Sequence, residues 1–218
     1  MSALRLPSGY SAILLGLIYI AAFVYFGAFS SYPVSGAPEE KMRFLSDHQL
    51  EMSVVYFSIY VLFGVLLAIL VVGVHEILKD ASPPVASLAS FFGVVWVGLV
   101  IASGMIYTVG LDQSVRLLDE SPDTAFSLWR TVSVVAISLG GGNEIVGGVW
   151  VLSVSLAALK AVVLSRMLNY LGCFVGIAGI ATIYPEELFT AVFGLSQIIW
   201  FIWLGLVILR SDSAFNPE

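Results

Sequence analysis

Charge is what this sequence has least of. Of its 218 residues only 11% are Asp, Glu, Lys or Arg, while 59% are hydrophobic, and the mean hydropathy is +1.00. Water-soluble domains carry about a quarter charged residues. Here the charges are missing from long continuous blocks, which is the mark of membrane spans. The net charge is −6, so nothing resembles a basic nucleic-acid footprint. A single cysteine, Cys173, excludes an intrachain disulfide and a cysteine-rich metal site. Set in an apolar run, it reads as a small buried hydrophobe. The two histidines, His48 and His75, flank the second apolar block on opposite sides. They lie roughly 40 Å apart along a helix, too far to share a metal or a haem. No His/Cys/Asp/Glu grouping with ligand spacing is visible, and no Gly-x-Ser-x-Gly, phosphate loop or serine–histidine pairing. No catalytic residue, metal or cofactor is therefore assigned, and an intramembrane enzyme is the least favoured class.

What is present is a series of apolar blocks. A spanning helix needs about 20 mostly apolar residues. Residues 10–29, 53–75, 85–110, 168–184 and 188–209 meet that need. The first resembles a signal peptide behind Arg5, but it is longer than the usual apolar region and carries Tyr19 and Tyr25, so it reads as a retained span. Residues 30–51 form a polar loop in which Pro38-Glu-Glu-Lys opens a short helix. Met42, Leu45 and Met52 fall on one face, so this stretch lies on the membrane surface or caps the bundle. Ser82-Pro-Pro breaks the chain before the third span. An acidic loop at 112–123 ends in Ser121-Pro-Asp, a helix start with serine as N-cap.

Residues 124–163 are twice as long as one span requires. Either they hold two spans joined by glycines, giving seven in all, or an amphipathic surface helix over 123–139 precedes one span at 144–163, giving six. Between Arg130 and Gly140 nine residues run free of charge and glycine, roughly 14 Å of helix against a core of about 30 Å. An arginine at a span centre costs about 2.5–3.5 kcal/mol on insertion scales. The distribution of lysine and arginine favours seven spans with the N-terminus outside; six spans leave five bases inside against four outside. The unpaired arginine is the larger penalty. The expectation is an all-α, single-domain bundle of six spans plus the surface helix, with seven as the alternative and both termini cytoplasmic in the six-span case.

The stretch SLGGGNEIVGGVW at 138–150 is the chain's one polar interruption of this kind. Three glycines weaken a helix by about 1 kcal/mol each relative to alanine. One reading makes Asn143 the N-cap of the next span, with Glu144 in its first turn. The sharper reading concerns depth, because intramembrane ionisable groups are functional candidates by default. In the six-span arrangement Gln197, Ser103, Tyr107 and Tyr60 sit at similar depth to Asn143 and Glu144 near the outer leaflet. These six residues form the candidate ligand-binding set. The plainer alternative is that the amides and Ser103 are interhelical glue, worth about 0.6 kcal/mol each, and that Glu144 is a cap.

Gly172-Cys-Phe-Val-Gly176 has the spacing that lets helices approach closely, and Gly64 and Ala68 form a weaker pair. Trp150, Trp200 and Trp203 suit lipid-facing or interfacial anchoring. His75 reads as an interfacial polar residue.

The segments FGVLLAILVVGVHE, IASGMI, GGGNEIVGGVWVL, LNYLGCFVGIAGIATIYP and FGLSQIIWFIWLGLVILR resemble bacterial multi-pass membrane proteins of the domain of unknown function 4386 family, over about residues 60–210. The resemblance implies a six-span bundle in the bacterial inner membrane. It carries no activity, and it draws attention to Asn143, Glu144 and Gln197. Two functional classes follow. One is binding or transport of a small solute or cation in an outer-leaflet pocket around Glu144. The other is an accessory or structural subunit of a larger membrane complex. Membrane lipids are the expected partners, with a membrane-protein partner or a second copy docking through small-residue faces, and no nucleic acid.

Overall fold

The computed structural model describes residues 4–141, 144–184 and 186–210, and its regular structure is helical throughout. Helix α1 (Arg5–Val24) runs on into a π-helical turn, Tyr25–Phe29. Two short helices follow, α2 (Pro38–Asp47) and α3 (Gln49–Tyr56). A second π-helical turn, Phe57–Leu62, joins α3 to α4 (Phe63–Leu78). Helix α5 (Pro83–Arg116) is the longest unbroken one. Helix α6 (Pro122–Ala136) passes through a third π-helical turn, Ile137–Gly141, toward α7 (Ile145–Ala161). Helices α8 (Arg166–Ala181) and α9 (Glu187–Arg210) complete the chain. Proline in the first turn opens α2, α5 and α6, where its missing N–H costs nothing. The Ser121 hydroxyl accepts from the Thr124 backbone N–H at 3.4 Å, the expected cap.

Five segments are long and apolar enough to cross a membrane: Arg5–Phe29, Gln49–Leu78, Pro83–Arg116, Pro122–Ala161 and Glu187–Arg210; Arg166–Ala181 is a shorter apolar helix. Helices are the form such segments take in lipid, because every backbone polar group is satisfied within its own segment. The contacts arrange them as six antiparallel crossings. Along the α3–α4 and α5 pair, Tyr56 stacks on Tyr107, Gly64 meets Ile101, Gly93 meets Val71, and His75 Nδ1 bonds Ser90 Oγ at 2.8 Å. Along α1 and α9, Gly9 meets Leu209 and Gly194 meets Phe23.

The disputed stretch resolves in the same way. Gly110 meets Val132, Ser103 bonds to Ala136, Gly140 lies against Leu99 and Val100, Gly147 meets Trp96, and Gly93 meets Trp150. The two partners step steadily in opposite directions, so Pro122–Ala161 follows α5 as one bent rod. Its bend is at Gly140, where the backbone leaves helical geometry. The amphipathic helix expected over 123–139 is present as α6. It runs along α5 and feeds the fourth crossing, where it had been expected on the membrane surface. The reason is its partner: α5 extends well past a bilayer's thickness and offers α6 a complementary apolar face.

This topology gives the molecule two ends. Arg5, Lys79, Lys160, Arg166 and Arg210 gather at one, here the basic end. Helix α2, the α5–α6 turn and the start of α9 gather at the other, with Glu39, Glu40, Asp119, Glu120, Asp123 and Glu187, here the acidic end.

Two apolar cores fill the bundle. The larger joins α1, α4, α5, α7, α8 and α9 around Trp96, Trp150, Trp200 and Phe201. The smaller, at the acidic end, joins α2, α3, α5 and α6 around Met42, Leu45, Met52, Tyr56, Tyr107 and Trp129. So the Met42–Leu45–Met52 face caps the bundle. Trp150 and Trp200, expected as lipid-facing or interfacial anchors, are each only 1% exposed. The cause lies opposite them. A Cβ at Gly93 would sit 2.9 Å from Trp150 Nε1, and one at Gly172 would sit 2.6 Å from Trp200 Nε1. Glycine makes the recess and tryptophan fills it. Cys173 is half-buried on α8, more exposed than its apolar run suggests.

Candidate functional site, a carboxylate between two cores

Glu144 is the N-cap residue of α7. That corrects the expectation of Asn143 as cap with Glu144 inside the first turn; Asn143 itself lies outside the described residues. The Glu144 carbonyl accepts from Gly148 N–H at 2.7 Å, beginning the helix. Its own N–H donates to Thr182 Oγ1 at 2.9 Å, and that hydroxyl donates to Gly179 O at 2.7 Å. The end of α8 therefore pins the start of α7. With the backbone held this way, the side chain makes no capping bond and points inward. The residue is 8% exposed, and Oε2 has no hydrogen-bond partner among the described residues.

The carboxylate lines a cavity of about 80 Å³. Its walls are Tyr19 and Ile18 of α1, Ile59, Tyr60 and Phe63 around the α3–α4 junction, Trp96 and Val100 of α5, and Gly140. Trp96 interacts with the carboxylate, yet its Nε1 remains without a well-formed hydrogen bond. Tyr19 stands edge-on to Phe63, with centroids 5.4 Å apart, and Phe63 edge-on to Trp96 at 6.2 Å. One carboxylate thus faces a mixed wall in which four rings, Tyr19, Tyr60, Phe63 and Trp96, stand among aliphatic residues. Buried polar atoms without partners are rare in folded proteins, and each calls for an explanation.

The backbone around the cavity is unusual too. Ile59 and Tyr60 belong to the second π-helical turn and Gly140 to the third. A π turn inserts an extra residue and re-aims side chains, and such turns are frequent at functional sites. Tyr60 sits where the two cores meet and packs against both.

No protein-family profile, curated protein or solved structure matches this chain. The site therefore rests on its own geometry.

The structure divides the set expected from sequence. Glu144 and Tyr60 share the cavity. Tyr107 interacts with Tyr60, with ring centroids 5.4 Å apart, but lines a neighbouring cavity nearer the acidic end. Ser103 is fully buried and donates to Leu99 O and Ala136 O, both at 2.9 Å. Its hydroxyl ties α5 to α6, which is the glue role. Gln197 is 0% exposed on α9 and neither amide atom has a partner among the described residues, but it is not among the cavity's lining residues. Tyr19 and Trp96 were not in the set. Both lie inside uninterrupted apolar runs, and no local pattern marks them. The depth argument that singled out Glu144 identifies them only once the helix pairings are known.

Proposed function

We propose that this chain is a membrane-embedded binding or transport protein for small organic ammonium ions, held at Glu144. The observation that carries the proposal is the buried Glu144 carboxylate, with an oxygen that no described residue bonds, facing a cavity whose wall includes four aromatic rings. Ammonium groups are attracted by the faces of Trp, Tyr and Phe within about 6 Å, and more strongly when desolvated. A single carboxylate supplies the counter-charge. Calcium or magnesium would ask for six or more oxygen ligands, and the cavity offers far fewer. The volume also limits the ligand. An apolar cavity of about 150 Å³ takes benzene, so this one suits a methylammonium-sized head. The surplus of carboxylates at the acidic end would raise the local concentration of cations. We further place the protein in a bacterial inner membrane, with the basic end in the cytoplasm.

The test is a titration of the purified protein in detergent with methylammonium and tetramethylammonium, read by intrinsic tryptophan fluorescence, since Trp96 lines the cavity. A saturable response is expected, weakened at least tenfold in Glu144→Gln and largely kept in Glu144→Asp. Equal affinity in wild type and Glu144→Gln would overturn the assignment. So would the absence of any response to either ammonium ion.

A further inference from the structure

A second cavity, of about 440 Å³, opens at the acidic end between the end of α1, α2, α3, α5 and α6. That size falls within the range of about 300–1,000 Å³ typical of ligand pockets, which are mostly apolar with a few placed polar groups. Its walls are aromatic and aliphatic: Tyr56 and Tyr107 stacked 4.5 Å apart, Trp129 beside them, and Val134 lower on α6 with Ile137 at the start of the third π-helical turn. Among the described residues Arg130 is the one charged residue in its lining, with no Asp or Glu.

The position of Arg130 is unusual for its surroundings. The acidic end has more carboxylates than bases, and its other arginines are paired, Arg43 to Glu39 at 2.8 Å and Arg116 to Asp112 at 2.9 Å. Among the described residues Arg130 pairs with no carboxylate; its guanidinium lies 6.0 Å from the centroid of the Phe126 ring. From Arg130 the lining of α6 runs through Val134 to Ile137, roughly 10 Å at 1.5 Å per residue. Val134 and Ile137 are exposed on the flank of the bundle. The cavity thus has a cation at its top and an apolar slot leading down along the lipid-facing side.

We propose that this cavity holds an anionic phospholipid, its phosphate on Arg130 and the upper part of one acyl chain along Val134 and Ile137 against Trp129. Arginine suits the head because its planar fork matches phosphate oxygens. The slot suits an alkyl chain because burying apolar area requires no matching polar group. This site is separate in residues and in charge from the Glu144 cavity, and Tyr60, Tyr107 and Tyr56 stand between them. It does not rest on the ammonium proposal.

The experiment reconstitutes the protein in vesicles containing acyl-brominated phosphatidylglycerol or acyl-brominated phosphatidylcholine. Bromine quenches tryptophan on contact. The difference between wild type and Trp129→Phe isolates the signal of Trp129. Brominated phosphatidylglycerol should quench that signal at a mole fraction at least fivefold lower than brominated phosphatidylcholine does. Arg130→Gln should erase the preference, Arg130→Lys should keep part of it, and Glu144→Gln should leave it unchanged. Equal quenching by the two lipids, or a preference that survives Arg130→Gln, would overturn the proposal. A third arm adds brominated fatty acid to phosphatidylcholine vesicles. Stronger quenching by the free acid than by phosphatidylglycerol would overturn the assignment of a phospholipid as occupant.

Discussion

The basic-end two thirds of the bundle and its acidic-end third are built in opposite ways. In the first, glycine sets the distances. A Cβ on Gly148 would sit 2.7 Å from Gly176 O and Ile180 N, and one on Gly205 would sit 2.6 Å from Gly9 O. Backbones touch there, and tryptophans fill the recesses between them. In the second, aromatic side chains hold the helices apart. Tyr56, Tyr107 and Trp129 stack with one another, and all three π-helical turns lie in or next to this part. Close backbone packing leaves little room for a ligand. Stacked rings and displaced helical turns leave cavities. Glu144 sits on the boundary, anchored from the glycine-packed side and facing the aromatic side. The lesson is that two packing modes in one apolar chain separate a close-packed scaffold from a part that holds cavities, without any change in overall hydrophobicity.

Substitutions test that contrast in order of size. Gly148→Ala places a methyl against backbone atoms of α8 that have no rotamer to change. It should destabilise by about 1–3 kcal/mol, read as a lowered midpoint of thermal unfolding in detergent; a midpoint equal to wild type would refute backbone contact at this seam. Ser103→Ala removes the bond that joins α5 to α6 at the boundary. Its expected cost is smaller, about 0.6 kcal/mol, and it should fall on the acidic-end part, seen as faster hydrogen exchange in α6 than in α8. Uniform acceleration across both helices would mean the two parts do not open separately. Ser133→Leu adds bulk to the wall of the larger cavity. Stability should change by no more than about 0.5 kcal/mol, while the phosphatidylglycerol preference should fall. A loss of stability like that of Gly148→Ala would show that the acidic-end part is packed as tightly as the rest.

Much of the architecture was legible along the chain. Continuous apolar runs mark crossings whatever their neighbours do, and prolines at 38, 83 and 122 mark helix starts because a ring without an N–H fits only there. The GxxxG spacing at 172 and 176 announced a close helix contact, but not that α7 is the partner. That Glu144 stands apart from the other carboxylates was legible too, from the improbability of a lone carboxylate between apolar blocks, and the structure buries it. Of its companions only Tyr60 was legible. Tyr19 and Trp96 come from two other helices, and nothing in one helix's periodicity states which face meets another helix's acid. Gln197 and Ser103 looked equivalent to Tyr60 because they share its depth, yet depth fixes only one of three coordinates. The π-helical turns left no trace, since an extra residue per turn keeps the composition and shifts only the direction in which side chains point.

What the amino-acid order determined alone is the solvent: a chain this apolar, with charge sparse and mostly near the ends of its apolar blocks, is built to satisfy its backbone within helices and to offer its sides to lipid. What only the tertiary structure decided is which side chains share a cavity and which merely share a level. That outcome depends on how closely each helix pair approaches and how each helix is rotated, and those are set by contacts between residues far apart in the chain, where a glycine on one helix has meaning only through the ring that fills its recess on another.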